Sequence, residues 1–384
     1  MHAMLTIPLS LYIHIPWCVQ KCPYCDFNSH TAQQTLPHDL YVKTLLADLD
    51  DYVDYLENRP IVSLFFGGGT PSLFPPQAIE KILKGIRERV ELTDTVEITL
   101  EANPGTVDHA RFSGFREAGI NRLSIGIQSL QDEKLRALGR IHDRDHARLA
   151  IEAARLAGFD NFNLDLMHGL PGQSISDALD DIQDALAFQP PHLSWYQLTI
   201  EPNTLFHKKP PVLPKDDTLW AIQEQGQSLL QEAGLNQYEI SAFAKPGHAC
   251  LHNVNYWEFG DYLGIGAGAH SKLTDTKNQR ITRLAQLKNP RDYLNPAKNR
   301  TASSILLSEK DLCFEFMLNA LRLKNGVPAD LFTARTGLSL EKLEPALSLA
   351  KEKKWMVNEK NRLCATELGL RFLNDVIGLF LQEK

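Results

Sequence analysis

The sequence lacks an excess of basic residues, a long apolar segment and a secretion signal. Lysine and arginine number 40 against 47 aspartates and glutamates, for a net charge of −7, so nothing marks a surface for nucleic acid. No run of about 18 apolar residues is present, as a membrane-spanning helix would require. The first residues lack the basic start and apolar core of a signal peptide. These absences favour a cytoplasmic protein that does not bind nucleic acid.

Cysteine is scarce, with six in 384 residues, but three lie close together. Cys18, Cys22 and Cys25 form a C-x3-C-x2-C pattern. Structural zinc sites use pairs of C-x2-C, and disulfide frameworks belong to oxidising compartments. An iron–sulfur cube normally takes four thiolates, so three on one loop leave one iron open to a small molecule. The pattern favours a 4Fe–4S cluster over zinc or a disulfide.

Short β-rich runs alternate with helical stretches over the first 200 residues. The expected strands are Leu9–Ile15, Ile61–Phe66, Val96–Leu100, Arg122–Ile127, Asn161–Met167 and His192–Ile200. This alternation predicts a parallel sheet with right-handed crossovers. Six units are too few for a closed eightfold barrel. The predicted fold class is therefore α/β, with an open six-unit (β/α)6 partial TIM barrel.

Polar and glycine-rich residues follow these strands. The cysteine loop follows the first strand, and Gly67–Pro71 follows the second. Glu101, Gln128 and Asp165 lie at the ends of the next three. Taken alone, each of these side chains is more often a surface or salt-bridged residue. Because barrel folds place their chemistry at the carboxyl ends of strands, we expect these motifs to share one rim.

The pattern changes after Glu201. A glycine-studded stretch, Tyr262–His270, allows backbones to approach closely, and the chain from about Ser303 is mostly helical. Helices followed by a short hairpin at Met356–Leu363 predict a winged-helix-like module. Its nearly balanced charge favours a lid or docking role over DNA binding. The predicted domains are a barrel (1–235), a connecting segment (236–300) and a C-terminal, mostly helical domain (301–384).

The residues around the cysteines resemble a known family. Tyr12-Ile-His-Ile-Pro-Trp-Cys18 and Cys25-Asp-Phe27 are similar to the radical SAM superfamily. The resemblance is strongest to the branch that holds oxygen-independent coproporphyrinogen III dehydrogenase and HemW-type heme chaperones, and it extends from about Pro8 over nearly the whole chain. It implies that the three cysteines bind a 4Fe–4S cluster whose open iron chelates S-adenosylmethionine (SAM), with reductive cleavage of a C–S bond as the chemistry.

The same resemblance implies which residues contact SAM. Carboxylates suit its ammonium and hydroxyl groups, and arginine suits its carboxylate. The matching stretches are Gly67-Gly-Gly-Thr70-Pro, Glu101-Ala-Asn-Pro, Gly126-Ile-Gln-Ser, Leu138-Gly-Arg140 and Asn163–Pro171. The implied contacts are Tyr12, Gly68, Gly69, Thr70, Glu101, Gln128, Arg140 and Asp165.

Two functions within that branch differ at a few positions. The cysteine motif of coproporphyrinogen dehydrogenases resembles C-x3-C-x2-C-x-C, but this chain has Phe27 at the position of the last cysteine. Those enzymes also carry a longer N-terminal extension, whereas only 17 residues precede Cys18 here. HemW-type chaperones resemble the shorter pattern and carry a motif like His252-Asn-Val-Asn-Tyr256-Trp257. A histidine can ligate heme iron and aromatic rings can stack on a porphyrin, although such residues are more often packed core.

We therefore expect a heme chaperone that binds heme near His252 and transfers it to acceptor hemoproteins such as respiratory enzymes. The alternative is a coproporphyrinogen III dehydrogenase, and the sequence leaves open whether the chain has an enzymatic activity. The implied cofactors are a 4Fe–4S cluster, SAM and heme. The implied partners are heme, the acceptor proteins and an electron donor such as flavodoxin or ferredoxin. Peripheral membrane contact would come through these partners.

Overall fold

A mixed sheet of twelve strands forms the frame of the protein, for which the computed structural model describes residues 7–32 and 35–381. The strands are β1 (Leu9–Ile15), β2 (Ile61–Gly68), β3 (Leu92–Ala102), β4 (Arg122–Gln128), β5 (Phe162–His168), β6 (His192–Gln197), β7 (Asn236–Glu239), β8 (Ala242–Ala244), β9 (Asp261–Ile265), β10 (His270–Asp275), β11 (Arg280–Gln286) and β12 (Thr301–Leu306). Their order in the sheet is β12-β11-β10-β9-β1-β2-β3-β4-β5-β6-β8-β7. The central strands, β9 and β1 to β6, are parallel, and the outer ones are antiparallel.

Helices follow each of the first six strands. The helices are α1 (His38–Asp50), α2 (Pro76–Arg87), α3 (His109–Ala118), α4 (Asp132–Ala137), α5 (Arg144–Leu156), α6 (Ile175–Leu186), α7 (Leu205–Lys208), α8 (Asp216–Glu232), α9 (Leu251–Trp257), α10 (Pro290–Tyr293), α11 (Glu309–Ala320), α12 (Asp330–Thr336), α13 (Ala346–Glu352), α14 (Glu367–Arg371) and α15 (Leu373–Gly378). Side chains cap the N-termini of several of these helices. Asp108 caps α3, Asp143 caps α5, and Ser174 forms a capping box with Asp177 on α6, which satisfies amides that a helix start leaves unpaired.

The predicted α/β class with an open barrel of six units is confirmed. On the side away from β2, strand β1 pairs with β9 and not with β6, so the described strands form no closed barrel. Leu11, Phe66, Leu100, Ile125 and Leu164 are fully buried along the central strands. Strands covered on both faces need such nearly continuous apolar runs, which is why the sequence reveals them.

Two segments are less regular than a single helix or strand. Residues 340–353 form a 3-10 turn at Leu340–Leu343 and then α13. Pro345 separates the two because proline lacks an N–H and clashes with the preceding turn. Residues 236–244 form a hairpin of β7 and β8.

The C-terminal helices enclose a second hydrophobic core. Phe316 on α11 and Phe332 on α12 meet at its centre, with ring centroids 5.1 Å apart. Val327–Pro328 pairs antiparallel with Arg362–Leu363 beside these helices, which fits the expected winged-helix-like order. Strands β9 to β12 extend the sheet beyond β1, and β8 and β7 extend it beyond β6. The boundaries of the three predicted domains remain a prediction. Within the described ranges, no helix has the length and apolarity needed to cross a bilayer.

Candidate functional site

Two adjoining cavities lie on the inner face of the parallel strands. The small cavity, of about 270 Å³, lies at the carboxyl ends of the strands beside the cysteine loop. The large cavity, of about 1110 Å³, extends to Arg122 and His192, the first residues of β4 and β6. The residues that line both are Lys21, Phe27, Ser29, Gly68, Glu101, Ser124 and Asp165. This shared wall makes the two cavities chambers of one site.

The three clustered cysteines line the small cavity as half-buried free thiols. A short pairing of Trp17–Cys18 with His30–Thr31 closes the base of their loop. Within it, the Cys25 amide donates to the Cys22 carbonyl at 3.1 Å. Burial raises the pKa of the Cys18 thiol, against an opposing hydrogen bond with Thr70. The fold thus presents three thiols to one small chamber.

Arg140 provides positive charge beside this loop. Its Nη1 lies 3.4 Å from Cys22 Sγ, and its Nη2 donates to the Gly126 carbonyl at 3.0 Å. Its Nε is buried without a hydrogen-bond partner among the described residues. A guanidinium can pair with the negative charge of a thiolate ligand set, and an unpaired buried donor suits an acceptor on a ligand. Arg140 therefore fits both a thiolate ligand set and a bound carboxylate.

The thiol arrangement fits a four-iron cube. No three His, Cys, Asp or Glu side chains within 7–32 and 35–381 converge on a single metal ion. In a cube, each thiolate binds a different iron, so convergence on one point is not what the cluster requires. Three free thiols on one loop, facing one chamber, suit a cube whose fourth iron a small molecule binds.

The glycine turn after β2 brings backbone against the same chamber. Gly68 has a φ of +111°, and a Cβ there would lie 2.3 Å from the His14 ring. A Cβ on Gly69 would lie 2.6 Å from the Trp17 carbonyl oxygen. The amides of Gly69 and Thr70 donate to the carbonyls of Ile15 and Trp17, both at 2.8 Å. Glycine is therefore needed for the turn to lie against the cysteine loop.

Two carboxyl groups share the wall between the chambers. Glu101 Oε2 accepts from the Gly68 amide at 3.1 Å, and Asp165 accepts from Ser124 Oγ at 2.9 Å and from Asn163 Nδ2 at 2.8 Å. Burial, with a smaller contribution from the negative charge of Asp165, raises the pKa of Glu101 to about 8. Burial also raises the pKa of Asp165. Two such carboxyls in one wall favour a cationic group between them.

We expect Glu101→Gln to change how stability depends on pH in the ligand-free protein. From pH 5 to pH 8 the folded wild type retains a proton that the unfolded chain releases, because the pKa of Glu101 rises from 4.5 to about 8 on folding. Wild-type stability therefore falls with rising pH over this window. The glutamine variant lacks this loss, so its stability relative to wild type should rise by roughly 3 to 4 kcal/mol between pH 5 and pH 8.

Urea unfolding at several pH values measures this difference. Glu80→Gln, at an exposed position on α2, is the matched control and should follow wild type at every pH. A constant offset between Glu101→Gln and wild type from pH 5 to pH 8 would show that the Glu101 carboxyl is not held protonated.

Tyr12 and Gln128 line different cavities, Tyr12 the large one and Gln128 the small one. The Tyr12 hydroxyl is 3.0 Å from His14 Nδ1, and its ring stacks on Phe65 in the large cavity. Gln128 lines the small cavity with a φ of 69°, and its Oε1 accepts from the Tyr196 hydroxyl at 2.7 Å. A bulge in the pairing of β4 with β5 accompanies this backbone, and bulges redirect side chains near sites.

His252, on α9, lies against β2 in the wall of the large cavity. Its ring stacks on Phe65 with centroids 5.0 Å apart, and its Nδ1 lies 3.3 Å from Ser63 Oγ. Burial lowers the pKa of His252 to about 4, so the imidazole is neutral at pH 7. Asn255 fixes the helix by donating to Ser10 Oγ at 2.8 Å and to the Asp261 carbonyl at 2.9 Å.

The C-terminal module forms one side of the large cavity. Tyr256 and Trp257 meet edge to face at 5.0 Å, and the Arg322 guanidinium lies 4.3 Å from the Trp257 ring centroid. Leu318 and Asn319, at the end of α11, line the cavity beside Arg322. The aromatic motif is therefore enclosed between the sheet and the module.

A group of polar side chains inside the strands was not among the predicted site residues. The residues concerned are Arg122 and Ser124 on β4, Asn163 on β5, and His192 and Ser194 on β6. Successive strand residues point to opposite faces, and these occupy alternate positions. Polar residues at every second position of an otherwise apolar strand are the sequence signal that could have predicted this group.

Comparison with known proteins identifies the family. A model of the Radical SAM superfamily matches residues 12–185, and a model of the HemN C-terminal domain matches residues 307–372. Heme chaperone HemW of Escherichia coli (strain K12) is 51% identical over 376 residues, covering 98% of this chain and 99% of that protein. The chain belongs to the HemW family. HemW of Bacillus subtilis (strain 168) is 33% identical, covering 97% of this chain and 99% of that protein.

A solved structure, described as coproporphyrinogen III oxidase (HemN) from Escherichia coli, is similar in fold to this HemW-family chain. Its TM-score is 0.82 at 22% identity, over 97% of this chain and 90% of that one. At this identity the likeness concerns the fold alone. The predicted family is thus confirmed, and it implies an iron–sulfur cluster and SAM. The roles of individual site residues remain predictions.

Proposed function

We propose that this protein is a heme chaperone that binds heme in the large cavity and transfers it to acceptor hemoproteins in the cytoplasm. The observation that carries the proposal is the 51% identity to a curated HemW heme chaperone along 98% of the chain. Identity of this extent covers both the barrel and the C-terminal module, and so every wall of the large cavity.

The lining of the large cavity supports heme as the ligand. Tyr12, Phe65 and Tyr256 offer aromatic faces that can stack on a porphyrin. The His252 imidazole is neutral. Because its Nδ1 is within hydrogen-bond distance of Ser63 Oγ, its Nε2 is left to bind iron. We propose His252 as the heme ligand.

We further propose that the small cavity holds the cluster and SAM. Cys18, Cys22 and Cys25 would be the cluster ligands, and the cluster would supply one-electron chemistry when bound. Glu101 and Asp165 would accept hydrogen bonds from the cationic and hydroxyl groups of SAM. The remaining proposed contacts in this cavity are Gly68, Gly69, Thr70, Gln128 and Arg140, whereas Tyr12, also implied by the family resemblance, lines the large cavity. A flavodoxin or ferredoxin would supply the electrons.

Phe27 separates this proposal from coproporphyrinogen dehydrogenation. It occupies the position of the fourth cysteine in the dehydrogenase pattern, it is 66% exposed, and it lines both cavities. A phenyl ring adds apolar contact area where a thiolate would add a negative charge. The Phe27 ring therefore favours binding of a flat apolar ligand at this position and not redox chemistry by a fourth thiol.

Titration of the anaerobically purified protein with hemin tests the proposal. We expect a saturable change in the visible spectrum at one heme per chain. A spectrum that equals the sum of protein and free hemin at every ratio would refute heme binding, and with it the chaperone function.

A further inference from the structure

Four basic side chains line the large cavity near the cysteine loop. They are Lys21 in the cysteine loop, His30 just after it, His270 at the start of β10, and Lys288 just after β11. Three of them are exposed and His30 is half-buried. We call these four residues the basic rim. Asp26 is the acidic residue that lines the cavity at the same loop.

Asn28 holds the segments of the basic rim together. Its Nδ2 donates to the carbonyls of Ala267 and Lys288, both at 2.9 Å, and its Oδ1 lies 3.3 Å from His30 Nε2. Gly268 makes room for it, since a Cβ there would lie 2.2 Å from Asn28 Nδ2. The rim is therefore built by specific contacts among three distant parts of the chain.

The positive charge of the rim is not neutralised within the protein. Lys21 Nζ donates to the carbonyls of Phe27 at 3.0 Å and Ser29 at 3.4 Å, which carry no net charge. In the described part of the chain, neither Lys21 nor Lys288 forms an ion pair within 4.0 Å. Burial lowers the pKa of His30 and of His270, so the two lysines carry the positive charge of the rim and the two imidazoles offer hydrogen bonds.

The rim and His252 lie at two separate places along the cavity wall. His14 Nε2 is 2.9 Å from the Asn28 carbonyl oxygen, and His14 Nδ1 is 3.0 Å from the Tyr12 hydroxyl. The Tyr12 ring lies 6.1 Å from the His252 ring. Two side chains thus separate the rim from His252. A porphyrin with its metal at the centre and its carboxylates on one edge has this arrangement of groups.

We propose, on the basis of the proposed heme-binding function, that the basic rim binds the two propionate carboxylates of the porphyrin and so fixes its orientation in the large cavity. The carboxylates would stay near solvent, where their desolvation cost is small. The apolar edge would face the aromatic wall around Phe65 and Tyr256. The rim would thereby select a planar tetrapyrrole that carries carboxylates along a single edge.

Hemin and its dimethyl ester, titrated into wild type and Lys288→Glu, test this orientation. Lys288 is the residue to change because Asn28 donates to its backbone carbonyl, and a side-chain substitution keeps that hydrogen bond. We expect the ester to bind wild type about tenfold more weakly than hemin, since it lacks both carboxylate charges. Lys288→Glu should bind hemin about tenfold more weakly than wild type and bind the ester as wild type does. Lys360→Glu, at an exposed position outside both cavities, should match wild type with both ligands.

The outcomes separate the two proposals. If wild type binds hemin and the ester equally, or if Lys288→Glu binds hemin as wild type does, the rim does not hold the carboxylates and the orientation is wrong, while heme binding stands. If wild type binds neither ligand, the heme chaperone function itself fails. A tenfold loss confined to hemin supports both.

Discussion

Replacing Cys18, Cys22 or Cys25 by alanine should abolish assembly of the iron–sulfur cluster. Wild type reconstituted without oxygen should contain about four irons and four sulfides per chain, and each variant less than one. The three thiols lie on a loop closed by the Trp17–Cys18 and His30–Thr31 pairing, and each would bind a different iron. Two remaining thiolates would leave two corners of the cube without a protein ligand. Elemental analysis for iron, sulfide and zinc measures the outcome.

Cys313→Ala is the matched control. Cys313 is buried in the second hydrophobic core, away from the cysteine loop, and its variant should keep the full iron content. Zinc in place of iron in wild type, or an unchanged iron content in all three loop variants, would show that the loop does not hold a cluster.

The second large effect is expected for His252→Ala, which should bind hemin on the order of 100-fold more weakly, equivalent to about 2.7 kcal/mol. The reason is the loss of an iron–nitrogen bond from a neutral imidazole that Phe65 and Ser63 hold in place. The absorption spectrum of the bound heme should change as well, because its axial ligand changes. Anaerobic titration followed in the visible range reports both quantities.

His207→Ala controls for the general effect of removing a histidine. His207 is exposed on α7 and lines neither cavity, so its variant should match wild type in affinity and spectrum. If His252→Ala keeps the wild-type spectrum and affinity, the iron has another ligand, and His14 and His192 are the next residues to replace because both line the same cavity.

The sequence predicted the barrel because its strands are buried on both faces. Leu11, Leu64 and Ile125 belong to nearly continuous apolar runs, and such runs mark parallel strands without knowledge of their neighbours. The rim motifs were predictable for a related reason. The carboxyl ends of neighbouring parallel strands lie side by side, so Glu101 on β3 and Gln128 on β4 were expected to be close once the strands were known.

Contacts between distant segments could not be predicted in this way. Strand β9 pairs with β1 across about 250 residues of chain, and no local periodicity encodes that choice. The basic rim joins Lys21, His270 and Lys288 only because Asn28 bridges their segments. Arg322 reaches the large cavity from the C-terminal module, which was predicted as a separate domain. Long-range packing decides all three.

Heme transfer measured against coproporphyrinogen turnover tests the chaperone function most directly. Cluster-reconstituted, heme-loaded protein would be mixed anaerobically with an acceptor apo-hemoprotein, and in parallel with coproporphyrinogen III, SAM and a reduced flavodoxin. We expect the acceptor to gain the heme that this protein loses, and coproporphyrinogen III to remain unconverted. Sustained decarboxylation to protoporphyrinogen IX without any transfer of heme would contradict the account.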